Sequence, residues 1–347
     1  MARKAHTSVP ERGVRSRPFA QEDEPVRLGV LTNPTAQHNH RFPVTHRRLA
    51  RRLRCPADAI QTADRSEIEQ AVRVLLSERR VNLFAINGGD GTIHGAINAM
   101  VRLYADDWAA GCRVPPVLLL LNGGTYNMAS RAMGTKGDPE RTVARFLERY
   151  GQTALNKVPV REIGLLEVHP EGRAPMLGMV FGSEVVANAL DLCDRLGSGY
   201  IGLARLLTQG VAGFVLQTEF YRTHAALLRP RDSNVSLDGH GLNDVVGAVA
   251  STIDLMLARG LVWSLTIAPG TAGFHAKLVR AKTPGEVVRL LPHLLWELPH
   301  PMIATHPDAR RLVTWGRFTV DGELYDHDGR VEVRVSPYRF RVVSGEI

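Results

Sequence analysis

The stretch INGGDGTIHG, Ile86 to Gly95, follows the apolar run VNLFA, and four of its ten residues are glycine around one carboxylate, Asp90. An apolar run that ends in glycines and then resumes at helical spacing reads as strand, turn and helix. Glycine permits dihedrals and close approaches that side chains forbid, at an entropic cost. Either a ligand must come close to the main chain there, or the turn needs unusual dihedrals. At the carboxyl end of a buried strand, successive N–H groups and a helix N-terminus can surround phosphate oxygens. The spacing is neither GxxxxGKS/T nor GxGxxG. The residues alone leave a phosphate cradle and an ordinary tight turn equally open.

A second turn of the same kind, NGGTYNMA (122–129), follows VLLLL and carries Thr125 and Asn127. Two such turns at neighbouring strand ends would face one crevice. Around them, strands alternate with helices: VRLGVLT (26–32), a polar turn NPTAQHNH, a helix over 44–54, a short strand at 57–62, and a helix over 66–78. Ser66 reads as the N-cap of that last helix, with Glu69 three residues on. This alternation implies a parallel sheet with crossover helices, covered on both faces. Past residue 155 the pattern changes to strand-like segments: KVPVREIGLLEVH, APMLGMVFGSEVV, FYRTHAALLRP, SLTIAPG, FHAKLVRA, GRFTVDGELYD and GRVEVRVSPYRFRVV. The last places Val331, Val333 and Val335 on one face and Arg330, Glu332 and Arg334 on the other. Helices are read at 194–210 and 243–260. The expected fold is therefore a Rossmann-like three-layer α/β domain over 26–155 and a mainly β, sandwich-like domain over 156–347, with a cleft between them. A mobile basic tail is expected over 1–25. At 347 residues and 44% hydrophobic content, two cores are affordable.

Composition excludes several classes. Cys55, Cys112 and Cys193 form no CxxC pair, which suits a reducing cytosol. His38 and His40 sit in a polar loop without a metal motif. No apolar run reaches the length of a membrane span, and the N-terminus lacks the apolar core of a secretory signal. The net charge of +8 is concentrated in RFPVTHRRLARRLR (41–54), which holds six arginines. A basic helix face attracts phosphate or anionic lipid. Without interleaved aromatics or a recognisable nucleic-acid motif, no nucleic-acid partner is expected. VDGELYD (320–326) reads as an Asp-Gly hairpin. Its functional reading is a carboxylate pair, Asp321 and Glu323, one handling the proton of an attacking hydroxyl and the other a metal or its water. Phosphoryl transfer needs little more than held phosphates, neutralised charge and a placed nucleophile.

In one order the chain carries TNPTA, GGDGT, GGTYN and DGE followed by PYRFRVV. This resembles the diacylglycerol kinase catalytic family, which includes bacterial lipid kinases and the sphingosine and ceramide kinases, over about residues 26–343. GGDGT by itself is shared with NAD kinases. RLGSGYIGLARLL (195–207) resembles the family's Gly-x-Tyr helical segment. The resemblance implies an ATP- and Mg²⁺-dependent transfer of the γ-phosphate to a lipid hydroxyl, on diacylglycerol or a relative. It also implies a cytoplasmic protein resting on an anionic membrane surface, with self-association open. Residue by residue, Asn33 and Pro34 match the first nucleotide turn and Thr62 an ATP-contacting threonine. Gly88, Gly89, Asp90, Gly91 and Thr92 match the phosphate loop, and Gly124, Thr125 and Asn127 the second turn. Asp321 and Glu323 match the acidic pair that serves as general base and neighbour; which one takes the proton is open, and Asp90 is a third candidate through magnesium.

The chain also departs from the family. Ala36, Gln37 and His38 replace the usual Ser-Gly-basic run, so phosphate contact there would pass to Arg41 or the arginines after it. Gly95 and Met128 stand where acids are common, and APGTAGFHAKL (268–278) has no carboxylate for a structural metal. Two other readings follow: an NAD-kinase-like transfer to a soluble acceptor, and a nucleotide- or lipid-binding regulator with weak turnover.

Overall fold

Three segments, β1 (Leu28–Thr32), β3 (Leu83–Gly88) and β4 (Val117–Asn122), are buried from end to end or nearly so. Strands this apolar need cover on both faces, and alternate residues divide between two helical layers. Leu31, Phe84, Ile86, Leu118 and Leu120 pack with α3 (Arg65–Arg73) and α4 (Asp90–Ala109). Leu28, Val30, Leu83, Ala85, Leu119 and Leu121 pack with α2 (Thr45–Arg52) and α6 (Pro139–Tyr150). With β2 (Ala59–Gln61), these strands form a parallel sheet in the order β2-β1-β3-β4. Two short helices, α1 (Gln37–Arg41) and α5 (Met128–Ala132), follow β1 and β4. The geometry comes from a computed structural model that describes residues 23–197, 200–228, 235–257, 262–265, 272–295 and 298–345. The expected tail lies outside these over residues 1–22.

The later half is a two-sheet sandwich. One sheet runs β14 (Ile303–Ala309), β13 (Phe274–Arg280), β10 (Val245–Ser251), β7 (Val180–Ser183), β16 (Phe318–Val320), β17 (Glu323–Tyr325). The other continues the parallel sheet: the long β18 (Arg330–Val343) pairs antiparallel with β5 (Val160–Pro170) and reaches β4 in parallel at Val342–Leu118. β6 (Met176–Gly178) flanks β5; β15 (Arg311–Trp315), β8 (Val235–Leu237) and β9 (His240–Leu242) complete that sheet on the far side of β18. Phe181, Ala248, Phe274, Leu278, Phe318, Val331 and Val333 fill the space between the sheets. Four helices, α7 (Val185–Leu196), α8 (Tyr200–Leu216), α9 (Glu219–His224) and α10 (Pro284–Leu295), lie with this half, as does the small pair β11 (Leu255–Leu257) and β12 (Val262–Leu265).

Several expectations are corrected. VVGAVAS in the segment 243–260 is strand β10, not helix, because a short apolar run of β-branched and small residues suits a strand buried on both faces. Residues 258–260 of that segment lie outside the described residues. FYRTH is helical rather than extended: α9 starts at its N-cap Thr218, whose hydroxyl accepts from Tyr221 N–H. Residues 229–230 and 266–270 of the expected strands lie outside the described residues. The helix over 194–210 is two helices, broken after Leu196 at Gly197, whose φ of 140° suits only glycine. Asp64, not Ser66, caps α3, in a reciprocal box with Glu67.

On β18 Val331 and Val333 are buried and Val335 is partly buried, but Glu332 on the other face is buried too, at 3% exposure. It lies between Arg311 (2.6 Å), Arg330 (2.5 Å) and Arg334 (2.5 Å), which hold its carboxyl down at about 2. A carboxylate with a depressed folded value stabilises the fold above its unfolded value near 4.5 and stops doing so as pH falls through 2. The arginines are half-exposed, so screening reduces the effect. Replacing Glu332 with Gln is expected to cost about 1–2 kcal/mol in urea unfolding at pH 7, a difference that vanishes by about pH 2.

Candidate active site

The two glycine turns meet main chain to main chain. A methyl group on Gly124 would lie 2.3 Å from the Cα of Gly89, and one on Gly123 2.7 Å from the N of Gly88. Gly88 itself has room only for the side chain of Thr92. Glycine is required here by the approach of one turn to the other. Asn127, at φ 51°, locks the second turn by accepting from Gly124 N–H (2.8 Å) and donating back to its carbonyl (3.0 Å). Asp90 is the first residue of α4, and its carboxylate accepts from the N–H groups of Met128 and Ala129, both 3.1 Å away. It thus caps α5 and fastens the two turns together. The N-cap of α4, Gly89, offers no side chain, so the positive end of that 20-residue helix faces the cleft without a side-chain cap from it.

From the other half, Asp321 and Gly322 form a two-residue hairpin turn between β16 and β17, with φ of 50° and 86°. Hairpin tips are usually wet, but Asp321 is only 3% exposed. Its Oδ1 accepts from Met179 and Val180 N–H, each 2.9 Å, and its Oδ2 lies 3.2 Å from His94 Nδ1. His94 belongs to α4, one turn past Asp90, and its Nε2 lies 3.4 Å from the hydroxyl of Tyr325. With Asp321 ionised, Nδ1–H donates to it and Nε2 accepts from Tyr325. Glu323 crosses over the same helix start: a methyl on Gly91 would lie 2.1 Å from its Oε1. The hairpin therefore brings both acids to the first two turns of α4. Burial pushes the Asp90 carboxyl up to about 6, opposed by the two amides it accepts from, with Asp321 adding repulsion.

Asn33, Thr62, Gly89, Asp90, Gly91, Thr92, Gly124, Thr125, Asp321 and Glu323 line one cavity of ≈ 1060 Å³. Asn33 donates to Thr92 Oγ1 (2.9 Å), tying the first turn to the phosphate loop. Gly88 and Asn127 shape the turns behind that wall, and Pro34 does not line the cavity. Residues beyond the motifs also take part. Thr32, Asn39, Thr62 and Asn87, at the carboxyl ends of β1, β2 and β3 or on α1, carry buried polar atoms with no hydrogen-bond partner. Such groups are costly unless something bonds them. His94 stood inside the quoted glycine stretch, and Tyr325 follows DGEL; only the fold shows that they meet.

The cavity continues past the acids into an apolar chamber lined by Val186, Leu190, Leu206, Leu207, Val249 and Leu291, with Cys193 also on its wall. No arginine lines it among the described residues, which corrects the expectation for Arg41; that guanidinium lies 5.8 Å from the Phe42 ring. Arg48 and Arg52 of the basic helix pair with Glu140 on α6 at 3.5 and 3.1 Å. Among the described residues no three His, Cys, Asp or Glu side chains form a metal cluster. Magnesium entering with phosphates needs only one or two carboxylates. Glu323 and Asp90, on either side of the Gly91 turn, fit that need.

Three substitutions test this geometry. Ala at Gly124 is expected to cost roughly 1–3 kcal/mol and weaken nucleotide binding, because it meets backbone. Ala at Gly91 meets only the end of a flexible side chain; Tm should hold while Glu323 is displaced and turnover drops. For Asp90, a folded value near 6 against an unfolded 3.8 means ionisation opposes folding. Stability is then lost as pH rises from about 4 through 6, by roughly 3 kcal/mol at most. Relative to wild type, metal-free Asp90→Asn should gain stability across that window in urea titrations.

Residues 27–156 match the profile described as the diacylglycerol kinase catalytic domain. No curated protein sequence matches the chain. Two crystal structures from Bacillus anthracis str. Sterne, one described as a putative diacylglycerol kinase and one as a diacylglycerol kinase, align at 14% identity, covering 92% of this chain and 97% of theirs, with TM-scores of 0.60 and 0.56. At that identity they speak for the fold. An NAD kinase from Archaeoglobus fulgidus in complex with ATP aligns at 11% identity over 92% of this chain and 94% of its own, with a TM-score of 0.43. Over residues 27–156 the chain resembles a kinase catalytic domain, that of the diacylglycerol kinase family to which its motifs had pointed.

Proposed function

We propose that the chain transfers the γ-phosphate of ATP to the hydroxyl of a lipid alcohol, diacylglycerol or a relative. The observation that carries this reading is the single cavity running from the glycine turns, past Asp321 and Glu323, into an apolar chamber. An acceptor with an alkyl tail in the chamber has its hydroxyl at the acids. Among the described residues, the aliphatic side chains of the chamber outnumber its one cation, Lys277, and favour an alkyl chain over a soluble, highly charged acceptor of the NAD type.

In this reading Thr62, which lines the cavity with an unpartnered hydroxyl, serves the nucleoside end, directly or through water, and the buried Thr32, Asn39 and Asn87 support the strand ends behind it. The main chain of the Gly89–Gly91 turn and the start of α4 hold the phosphates, with the second turn packed beside them; the N–H groups of Thr92 and Gly124 are already bonded to Gly89 O and Asn127 Oδ1. Bound magnesium would neutralise charge building on the transferred phosphoryl group, with Glu323 and Asp90 as its protein ligands. Asp321 accepts the hydroxyl proton as the oxygen attacks. Its Oδ1 is held by two amides, so Oδ2 is fixed in direction. His94 and Tyr325 position that oxygen from behind; neither lines the cavity.

Labelled-ATP transfer to a panel of lipid alcohols tests the reading. Asp321→Asn should lower kcat by about 10²–10⁴-fold with little change in the KM for ATP. His94→Asn keeps a donor near the Nδ1 position and should retain most activity, whereas His94→Leu should lose kcat. Full activity in Asp321→Asn would remove the assignment. ATP binding without transfer to any lipid alcohol would favour the regulatory reading, and conversion of NAD to NADP the soluble one.

A further inference from the structure

We propose that the outward face of α8 docks on a lipid bilayer and passes the acceptor to the chamber on the helix's inner side; this rests on the lipid-kinase reading above. Along YIGLARLLTQGVAGFVL the only charged residue is Arg205. Ile201 is 63% exposed, Val211 45%, Val215 70% and Leu216 72%, with Ala204 and Ala212 exposed among them. Single exposed apolar residues are ordinary. These recur at three- and four-residue steps on one helix, which makes a stripe. A surface helix of a soluble fold normally turns charge outward; this one turns none outward except Arg205.

The inner side of the same helix is apolar for a visible reason. Leu203, Leu206 and Leu207 line the chamber, so one layer of helix separates the acceptor site from the exposed stripe. An acceptor that fits the chamber is stored in bilayers, not in water, and must leave one to arrive. Among the described residues, basic residues outnumber the acids exposed around the stripe, Glu219 and Asp194. Arg205, Arg222 and Arg289 are exposed, and the Arg289 guanidinium lies 5.7 Å from the Phe214 ring of α8. Cations beside an apolar stripe suit anionic headgroups over acyl chains. The helix lies in the surface in this scheme. No single helix among the described residues is long and apolar enough to cross a membrane, and α7 and α8 meet at 109°. The arginines of α2 are a weaker candidate for the same task, since Arg48 and Arg52 already pair with Glu140.

The test is sedimentation of the full chain with phosphatidylcholine vesicles containing a minority of phosphatidylglycerol. Val215→Asp with Leu216→Asp should lower the partition coefficient at least about tenfold, and Ile201→Asn should lower it less. Both sites are exposed, so thermal melts should match wild type and exclude misfolding as the cause. Unchanged partition in the double variant overturns the proposal. So does a dimer that the double variant dissociates while vesicle binding persists, since the face then belongs to a second copy. Phosphoryl transfer to a short-chain lipid alcohol dissolved as monomer separates this inference from the function it rests on. If wild type phosphorylates it and the variant still binds vesicles, docking fails and the kinase reading stands. If partition falls in the variant but wild type phosphorylates no lipid alcohol, the kinase reading fails and docking stands.

Discussion

Strand β18 belongs to both halves of the molecule, and the cleft depends on that sharing. Along most of its length it pairs with β5, and near its end it reaches β4, so one sheet runs from the nucleotide-side strands into the sandwich. Hydrophobic packing follows the same path. Ile93, Ile97 and Met100 of α4 share a core with Ile163, Leu165, Leu177, Met179 and Phe340 from the later half. The Asp321 hairpin is hydrogen-bonded to the segment that leads into β7, and β7 sits on the sheet facing β18. Moving the acids away from α4 would therefore require breaking a ladder and a core together.

The site concentrates negative charge where the main chain is least cluttered. Asp90, Asp321 and Glu323 surround the first turns of one helix, whose partial positive charge offsets part of the repulsion. Each acid is also restrained differently. Asp90 caps α5, Asp321 accepts from two amides and His94, and Glu323 rests over Gly91. The raised value of Asp90 shows that burial outweighs its two amide bonds. The buried polar atoms without a partner at the strand ends add to the same concentration of uncompensated groups.

Much of this was legible in the sequence. GGDGT and GGTYN mark turns because glycine is the residue that lets two backbones touch, and that requirement is local. The alternation of β1 to β4 with helices was legible because each strand is uniformly apolar and each helix is periodic. β10 was not, because VVGAVAS has no period that separates a buried strand from a buried helix. α9 was misread because short aromatic segments favour strands until a cap such as Thr218 commits them to a helix.

What the sequence determined by itself was the chemistry available: glycine turns at two strand ends, an Asp-Gly hairpin bearing acids, and apolar residues enough for two cores. Each is set by residue type and near-neighbour spacing. Only the tertiary structure decided that Asp321, His94 and Tyr325 meet, that Glu323 lies over Gly91, and that a leucine-lined chamber adjoins them. His94 and Asp321 are 227 residues apart in the chain. Their contact follows from the shared strand and the common core, and no local pattern encodes those.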